Sequence, residues 1–215
     1  VWMDRATHAG RCVRHGLSIG TVIDRGILTH NHLTGQPDTA AMLSAISSYD
    51  WLYIQGALST DLIPIEMTRW TGSFPETVLI QLPYRANHLG DEANIGDFRT
   101  LERDSEVVFP YYPEHGDGWY NFWGGYPRHH TLVVGTGKFW KLEPTYSAVS
   151  FSLQEPRLTG PGDSGGGYFN TEGNLIGVLR SQGEVLPDTF GGLLYGLNYY
   201  FKPTVAIVSG ISSGN

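Results

Sequence analysis

The stretch Gly160-Pro-Gly-Asp-Ser-Gly-Gly-Gly167 places one serine and one acid among five glycines. Glycine tolerates positive φ angles and lets other groups approach the backbone closely, so this run predicts a tight turn. A serine on such a turn can act as a nucleophile, because backbone N–H groups converge there on the oxyanion that develops during acyl transfer. An ordinary glycine-rich loop of an all-β protein has the same composition. Ser164 is therefore a candidate nucleophile that needs a partner elsewhere in the chain.

A second segment supplies a candidate base. Gly26-Ile-Leu-Thr-His-Asn-His32 places two histidines directly after a short apolar run. Nucleophilic serine chemistry needs an imidazole that takes the hydroxyl proton and later returns it to the leaving group. A surface histidine pair and half of a metal site are the alternative interpretations.

Together the two segments resemble the chymotrypsin/trypsin-like serine endopeptidases, including the HtrA-type branch. In that family a glycine-containing strand, a hairpin and an apolar-apolar-Thr-x-x-His run follow one another, as residues 16–32 do here, and residues 174–179 match the strand after the serine. The resemblance implies His32 as the base and Ser164 as the nucleophile. It implies an oxyanion hole from the backbone N–H groups of Gly162 and Ser164, with Asp163 supporting the turn. It gives His30 no role and requires no metal or organic cofactor.

The resemblance also calls for a carboxylate that orients the histidine. The family's aspartate opens a strand of the pattern Asp-apolar-Ala-apolar-apolar, which no segment here reproduces. The best match in register is Glu76-Thr-Val-Leu-Ile-Gln-Leu82, with a glutamate at the acid position. Asp97 and Asp61 are the alternative acids. Each of the three is otherwise a solvated loop carboxylate.

By the same resemblance, Leu158 and Thr159 form the base of the substrate pocket, and its wall lies near Leu179, Arg180 and Ser181. An aspartate at the base would favour Lys or Arg in the substrate, and Leu158 stands there instead. Arg180 either receives an acidic side chain or faces solvent. We expect a protein or peptide substrate with an apolar or uncharged residue before the cleaved bond.

The chain has the composition of an all-β protein, with Gly 28 and Pro 12 among its 215 residues. Its pattern suits a sandwich or a barrel, and the resemblance implies two six-stranded antiparallel β-barrels, at about 1–90 and 101–202, in a single peptidase domain of 1–215. Two short helices are predicted, at 39–48 and within a C-terminal helix or tail of 203–215. Strands are predicted at 18–24, 26–29, 51–55, 62–70, 77–82, 106–112, 131–134, 147–153, 175–179 and 193–199.

Composition also limits partners and compartment. Lys+Arg 14 against Asp+Glu 21 gives a net charge of −7, which argues against nucleic acid as a partner. The sequence contains no apolar run long enough to span a bilayer, so no membrane partner is expected. Cys12 is the only cysteine, so an intramolecular disulfide is impossible. With no signal-peptide pattern, we expect a cytoplasmic or other reducing compartment.

Two other functions compete with the serine endopeptidase. A pseudoprotease would keep the fold as a protein-binding module with a missing or misplaced acid. A carbohydrate-binding β-sandwich would use the aromatic run Trp119-Tyr-Asn-Phe-Trp123. The sandwich leaves the joint occurrence of the His32 and Ser164 segments unexplained. For an active protease without disulfides, we expect control by a partner protein or a fused regulatory domain.

Overall fold

A computed structural model of the chain describes residues 2–6, 12–33, 36, 38–56, 59–111, 132–143, 148–153, 163–184 and 204–213. These residues are mostly in antiparallel β-strands, so the predicted all-β class is confirmed. The one α-helix of this part of the chain is α1 (Thr39–Ala45), and short 3₁₀ helices cover Ile46–Ser48, Ile65–Met67, Ala86–His88 and Phe98–Thr100. The strands are β1 (Trp2–Ala6), β2 (Cys12–Leu17), β3 (Thr21–Ile23), β4 (Gly26–His30), β5 (Trp51–Gln55), β6 (Thr60–Pro64), β7 (Arg69–Gly72), β8 (Thr77–Gln81), β9 (Glu106–Tyr111), β10 (Val133–Glu143), β11 (Ala148–Leu153), β12 (Gly167–Phe169), β13 (Leu175–Glu184) and β14 (Thr204–Gly210).

The first eight strands form two four-stranded sheets, in the orders β2-β1-β5-β6 and β3-β4-β8-β7. This differs from the expected count of six strands in the first half. Strand β4 is buried along its whole length and pairs with β8, with Ile27 opposite Ile80 and Thr29 opposite Val78. Apolar side chains from both sheets and from α1 share one core, which removes them from water. The end of β4 is thereby held rigidly.

The last six strands close into a barrel in the order β10-β11-β14-β13-β12-β9. Its core is aromatic in part, with the rings of Phe109 and Tyr168 stacked at a centroid distance of 4.7 Å. Closure pairs each of these six described strands on both sides, so none of them has an open edge. The resemblance therefore anticipated the second barrel correctly.

The predicted C-terminal helix is wrong, because residues 204–210 are strand β14. This strand lies between β11 and β13, with Val208 opposite Val149 on one side and Leu179 on the other. Thr204, Val205, Ile207 and Val208 are β-branched, which favours a strand over a helix. A proline just before a strand is as acceptable as a proline in the first turn of a helix, so Pro203 did not discriminate between them.

Helix α1 confirms the prediction of a helix after the histidines. The Asp38 side chain accepts a hydrogen bond from the Ala41 N–H at 2.8 Å and so caps the helix N-terminus. Met42 on its inner face is fully buried. The first residue of the helix, Thr39, accepts a hydrogen bond from the Asn31 side chain at 3.0 Å. Helix α1 therefore fixes the segment that carries the histidines.

A proline within β14 tests its assignment as a central strand. We expect Ala206→Pro to destabilise the protein by roughly 3 kcal/mol or more, because it removes a ladder hydrogen bond inside a sheet paired on both sides. Thr204→Pro, at the first residue of the strand, is the matched control and should cost far less. Denaturant unfolding followed by circular dichroism measures both. Equal stability of the two variants would contradict a central strand here.

Candidate active site

Ser164 lies on a tight turn that leads into β12. The Asp163 carbonyl accepts a hydrogen bond from the Gly166 N–H at 3.0 Å, which makes Ser164 and Gly165 the two central residues. Gly165 has a φ of +88°, which type II turns require at this position and glycine adopts without strain. The Gly165 N–H donates to the Leu179 carbonyl at 2.8 Å and anchors the turn to β13. Half-buried Ser164 is therefore held on a rigid backbone.

The same turn packs directly against the first half of the chain. A Cβ atom at Gly165 would lie 2.2 Å from the Ile19 carbonyl oxygen, 2.3 Å from Thr29 Oγ1 and 3.1 Å from His30 Cδ2. The Ser164 carbonyl accepts a hydrogen bond from the Ile19 N–H at 3.0 Å. The structure thus brings the serine segment and the histidine segment together, with no room for a side chain between them.

His30 occupies the end of β4 and is 4% exposed. Its Nδ1 accepts a hydrogen bond from the His32 backbone N–H at 3.2 Å, so the ring proton is on Nε2. Burial, and next the neighbouring His32, lower the pKa of His30 well below its usual value. Nε2 has no hydrogen-bond partner among the described residues. His30, to which the resemblance gave no role, therefore stays neutral and positions the backbone of His32.

His32 follows β4 and is half-buried. Its ring lies 3.8 Å from that of His30, centroid to centroid. Burial, and next the positive charge of Arg180, lower the pKa of His32. A neutral imidazole at physiological pH is what a general base requires.

Glu76 lies just before β8 and contacts the histidine segment through its backbone. Its carbonyl accepts a hydrogen bond from the Asn31 N–H at 3.0 Å. Its φ is +57°, a conformation that costs a non-glycine residue about 1–3 kcal/mol and that tends to occur at functional sites. Its carboxylate Oε2 lies 3.0 Å from Arg180 Nη1 and accepts from Ser209 Oγ at 3.5 Å.

The two alternative acids lie in other clusters. Asp61 Oδ2 is 2.6 Å from His88 Nε2, and this hydrogen bond raises the pKa of His88. Asp97 accepts hydrogen bonds from the side chain and backbone of Arg99, which hold the pKa of Asp97 at about 2. Of the three candidate acids, Glu76 is the one whose described contacts reach the histidine segment, and it does so through its backbone carbonyl.

The predicted substrate pocket is described in part. Leu179 is 3% exposed and packs in the core of the barrel. The Arg180 side chain is 30% exposed, and its Nη1 lies 3.0 Å from Glu76 Oε2. Ser181 lies in β13. Outside the described residues are Leu158, Thr159, Gly162 and the aromatic run 119–123.

Sequence reasoning missed two parts of this site. The contact of Ser209 with Glu76 comes from β14, which was expected to be a helix. The β-branched residues of 204–208 were the signal that would have placed it in a strand. The contact between Arg180 and Glu76 joins two residues that are far apart in the sequence, so no local sequence pattern predicts it.

The described residues contain no group of three or more His, Cys, Asp or Glu side chains that could hold a metal ion. None of their helices has the length and apolar character needed to cross a membrane.

Comparison with known proteins supports the fold. No protein-family model matches the chain, and neither does any curated protein sequence. Among solved structures, catalytically active tobacco etch virus protease complexed with product matches with a TM-score of 0.53 at 10% identity, over 97% of this chain and 71% of that chain. The HtrA-type protease AlgW with tripeptide matches with a TM-score of 0.52 at 12% identity, over 99% of this chain and 56% of that chain. The chain therefore has the chymotrypsin-like fold and spans little more than half the length of AlgW.

Two glycines with positive φ test the close packing of the serine turn. We expect Gly173→Ala, with a φ of +80° and no atom within 4 Å of the new Cβ, to destabilise the protein by about 1–2 kcal/mol through backbone strain alone. Gly165→Ala should cost clearly more, because its Cβ would overlap the Ile19 carbonyl. Denaturant unfolding compares the two. Similar losses would show that the turn does not pack as described.

Burial of neutral His30 makes stability depend on pH. Because its pKa is lowered in the folded chain, the unfolded chain binds more protons as the pH falls, and stability decreases below about pH 6.5. We expect His30→Asn, which keeps an acceptor for the His32 N–H, to lose less unfolding free energy between pH 7.5 and pH 5 than the parent protein does. His88→Gln is the control and should lose more unfolding free energy over this range than the parent does, because the raised pKa of His88 stabilises the folded chain at low pH. An unchanged loss in His30→Asn would contradict a buried neutral His30.

Proposed function

We propose that the chain is a serine endopeptidase that hydrolyses peptide bonds through an acyl-enzyme intermediate. The observation that supports this best is the packing of the Ser164 turn against the histidine segment through Gly165. Two motifs that are far apart in the sequence, each suited to acyl transfer, meet at one place in the fold. The proposed domain is the whole chain, with His32 and Glu76 from about 1–90 and Ser164 from about 101–202.

In this mechanism His32 takes the proton of the Ser164 hydroxyl while Oγ bonds to the carbonyl carbon of the substrate. The oxyanion of the tetrahedral intermediate accepts hydrogen bonds from the backbone N–H groups of Gly162 and Ser164. His32 then protonates the leaving amine as the C–N bond breaks. A water molecule, deprotonated by His32, attacks the acyl-enzyme and releases Ser164. Glu76 is the proposed acid that orients His32, and no metal or cofactor takes part.

The substrate class is proposed by analogy with proteins of the same fold. Tobacco etch virus protease and AlgW have this fold in complexes with product, substrate or short peptides. We propose a protein or peptide substrate bound in an extended conformation beside the Ser164 turn. The contact of Arg180 with Glu76 supports an uncharged or apolar residue before the cleaved bond over an acidic one.

A pseudoprotease of the same fold is the second candidate, and one observation favours it. The Glu76 carboxylate contacts Arg180 and Ser209, and no described hydrogen bond joins it to His32. An enzyme whose acid does not orient its base loses most of its rate.

Labelling by a fluorophosphonate probe, read by intact mass, separates the two functions. We expect a single adduct on the parent protein and none on Ser164→Ala, because only an activated serine attacks the probe. His32→Ala should label about 10²–10⁴-fold more slowly, since the general base is lost. No adduct on a folded sample would favour the pseudoprotease. An adduct that persists in Ser164→Ala would refute Ser164 as the nucleophile.

A further inference from the structure

Arg180 lies where the serine turn, the candidate acid and the candidate base meet. It is the residue after Leu179, whose backbone carbonyl and N–H bond to Gly165 and Gly166 of the serine turn, each at 2.8 Å. Its guanidinium reaches back to Glu76 in the first half of the chain. One side chain therefore links the part of the fold that carries the nucleophile to the part that carries the acid and the base.

The carboxylate of Glu76 contacts Arg180 and Ser209, whereas an orienting acid would contact the histidine. In a catalytic triad the carboxylate accepts a hydrogen bond from the far nitrogen of the histidine and stabilises the imidazolium. Here Oε2 of Glu76 contacts Arg180 Nη1 at 3.0 Å and Ser209 Oγ at 3.5 Å. A guanidinium near His32 also opposes the positive charge that the imidazole must carry during catalysis.

We propose that Arg180 is a positioning residue that competes with His32 for the carboxylate of Glu76 and so restrains the base. The proposal rests on the function proposed above. In this proposal Arg180 acts through the carboxylate of Glu76. The lowered pKa of His32, caused by burial and next by Arg180, agrees with this geometry.

The ion pair is weak enough to exchange. The side chains of Arg180 and Glu76 are 30% and 29% exposed, and pairs so accessible to water are worth little. We therefore expect the Glu76 side chain to turn to His32 when Arg180 is replaced by an uncharged residue or is engaged elsewhere, while the Glu76 backbone stays fixed by its bond to Asn31. Arg180 therefore restrains only the side chain of Glu76 and not its backbone.

A double-mutant cycle tests the competition. Arg180→Gln keeps a long polar side chain without the charge, Arg180→Lys keeps the charge, and Glu76→Gln removes the acid. We expect Arg180→Gln to accelerate fluorophosphonate labelling of Ser164 roughly tenfold or more, a fraction of the 10⁴ that an orienting acid contributes. Arg180→Lys should stay near the parent rate. The gain should be clearly smaller when Arg180→Gln is added to Glu76→Gln, because no carboxylate is left to release and only the direct effect of the Arg180 charge on His32 remains.

A second readout needs no catalysis. An NMR titration of ¹³C-labelled histidine, with the His32 signal assigned from a His32→Gln variant, should show a higher pKa for His32 in Arg180→Gln than in the parent. The rise should be smaller in the double variant, in which the released carboxylate is absent. Unfolding curves of each variant confirm that the fold is kept.

Three results would overturn the proposal. Slower labelling of Arg180→Gln would show that Arg180 supports Glu76 in its catalytic position. A gain of equal size with and without Glu76 would show that Arg180 acts on His32 by its charge alone and does not compete for the carboxylate. If no variant labels at Ser164, the serine endopeptidase proposal fails, and the titration alone decides on Arg180. An equal rise of the His32 pKa with and without Glu76, or no rise, then refutes the competition.

Discussion

The contact of Gly165 with the backbone before β3 and with the end of β4 is the constraint on which the site depends. Absence of a Cβ lets the serine turn lie against the Ile19 carbonyl, Thr29 and His30. Backbone hydrogen bonds from the Ile19 N–H to the Ser164 carbonyl and from the Gly165 N–H to the Leu179 carbonyl complete the junction. Backbone atoms thus set the position of the candidate nucleophile relative to the histidines. Such a junction tolerates wide change in other side chains, consistent with a shared fold at 10–12% identity.

The backbone and the side chain of Glu76 have different roles, one structural and one electrostatic. Its backbone, in a left-handed conformation, accepts from Asn31 and holds the segment between the two histidines. Its side chain contacts Arg180 and Ser209 from the barrel half. A change of the carboxylate therefore alters the electrostatics around His32 and leaves the path of the histidine segment in place. Chemistry and architecture can vary independently at this position.

Local patterns predicted most of the strands and failed where the decisive contacts are non-local. Strands β4, β5, β8 and β9 match their expected ranges because apolar and β-branched residues run between clear turn signals. The single strand expected at 62–70 is two strands, because Ile65–Met67 form a 3₁₀ turn between β6 and β7. The β-branched residues of 204–208 favour a strand, but the hydrogen bonds that β11 and β13 offer to 204–210 on both sides are long-range contacts that no local pattern reveals.

The candidate site was predictable to a similar extent. The glycine-rich turn and the histidine run carry their chemistry in adjacent residues, and the structure brings them together. For the acid the sequence left three candidates, because the role of a carboxylate depends on which residues the fold places beside it. The pairing of Glu76 with Arg180, and the support that His30 gives to His32, depend on tertiary contacts and were not predicted.

The position of β14 in the barrel sets an order for folding on the ribosome. The two sheets that carry His32 and Glu76 are complete once the nascent chain has emerged as far as Gln81. The barrel that supports the Ser164 turn cannot close until Thr204–Gly210 has been synthesised and inserted between β11 and β13. Long-range strand pairing of this kind is the slow step of folding. The strand pairs of the histidine half can therefore form before those of the serine half, and the core that Leu28 and Leu79 share with Leu175 and Val178 is completed only afterwards.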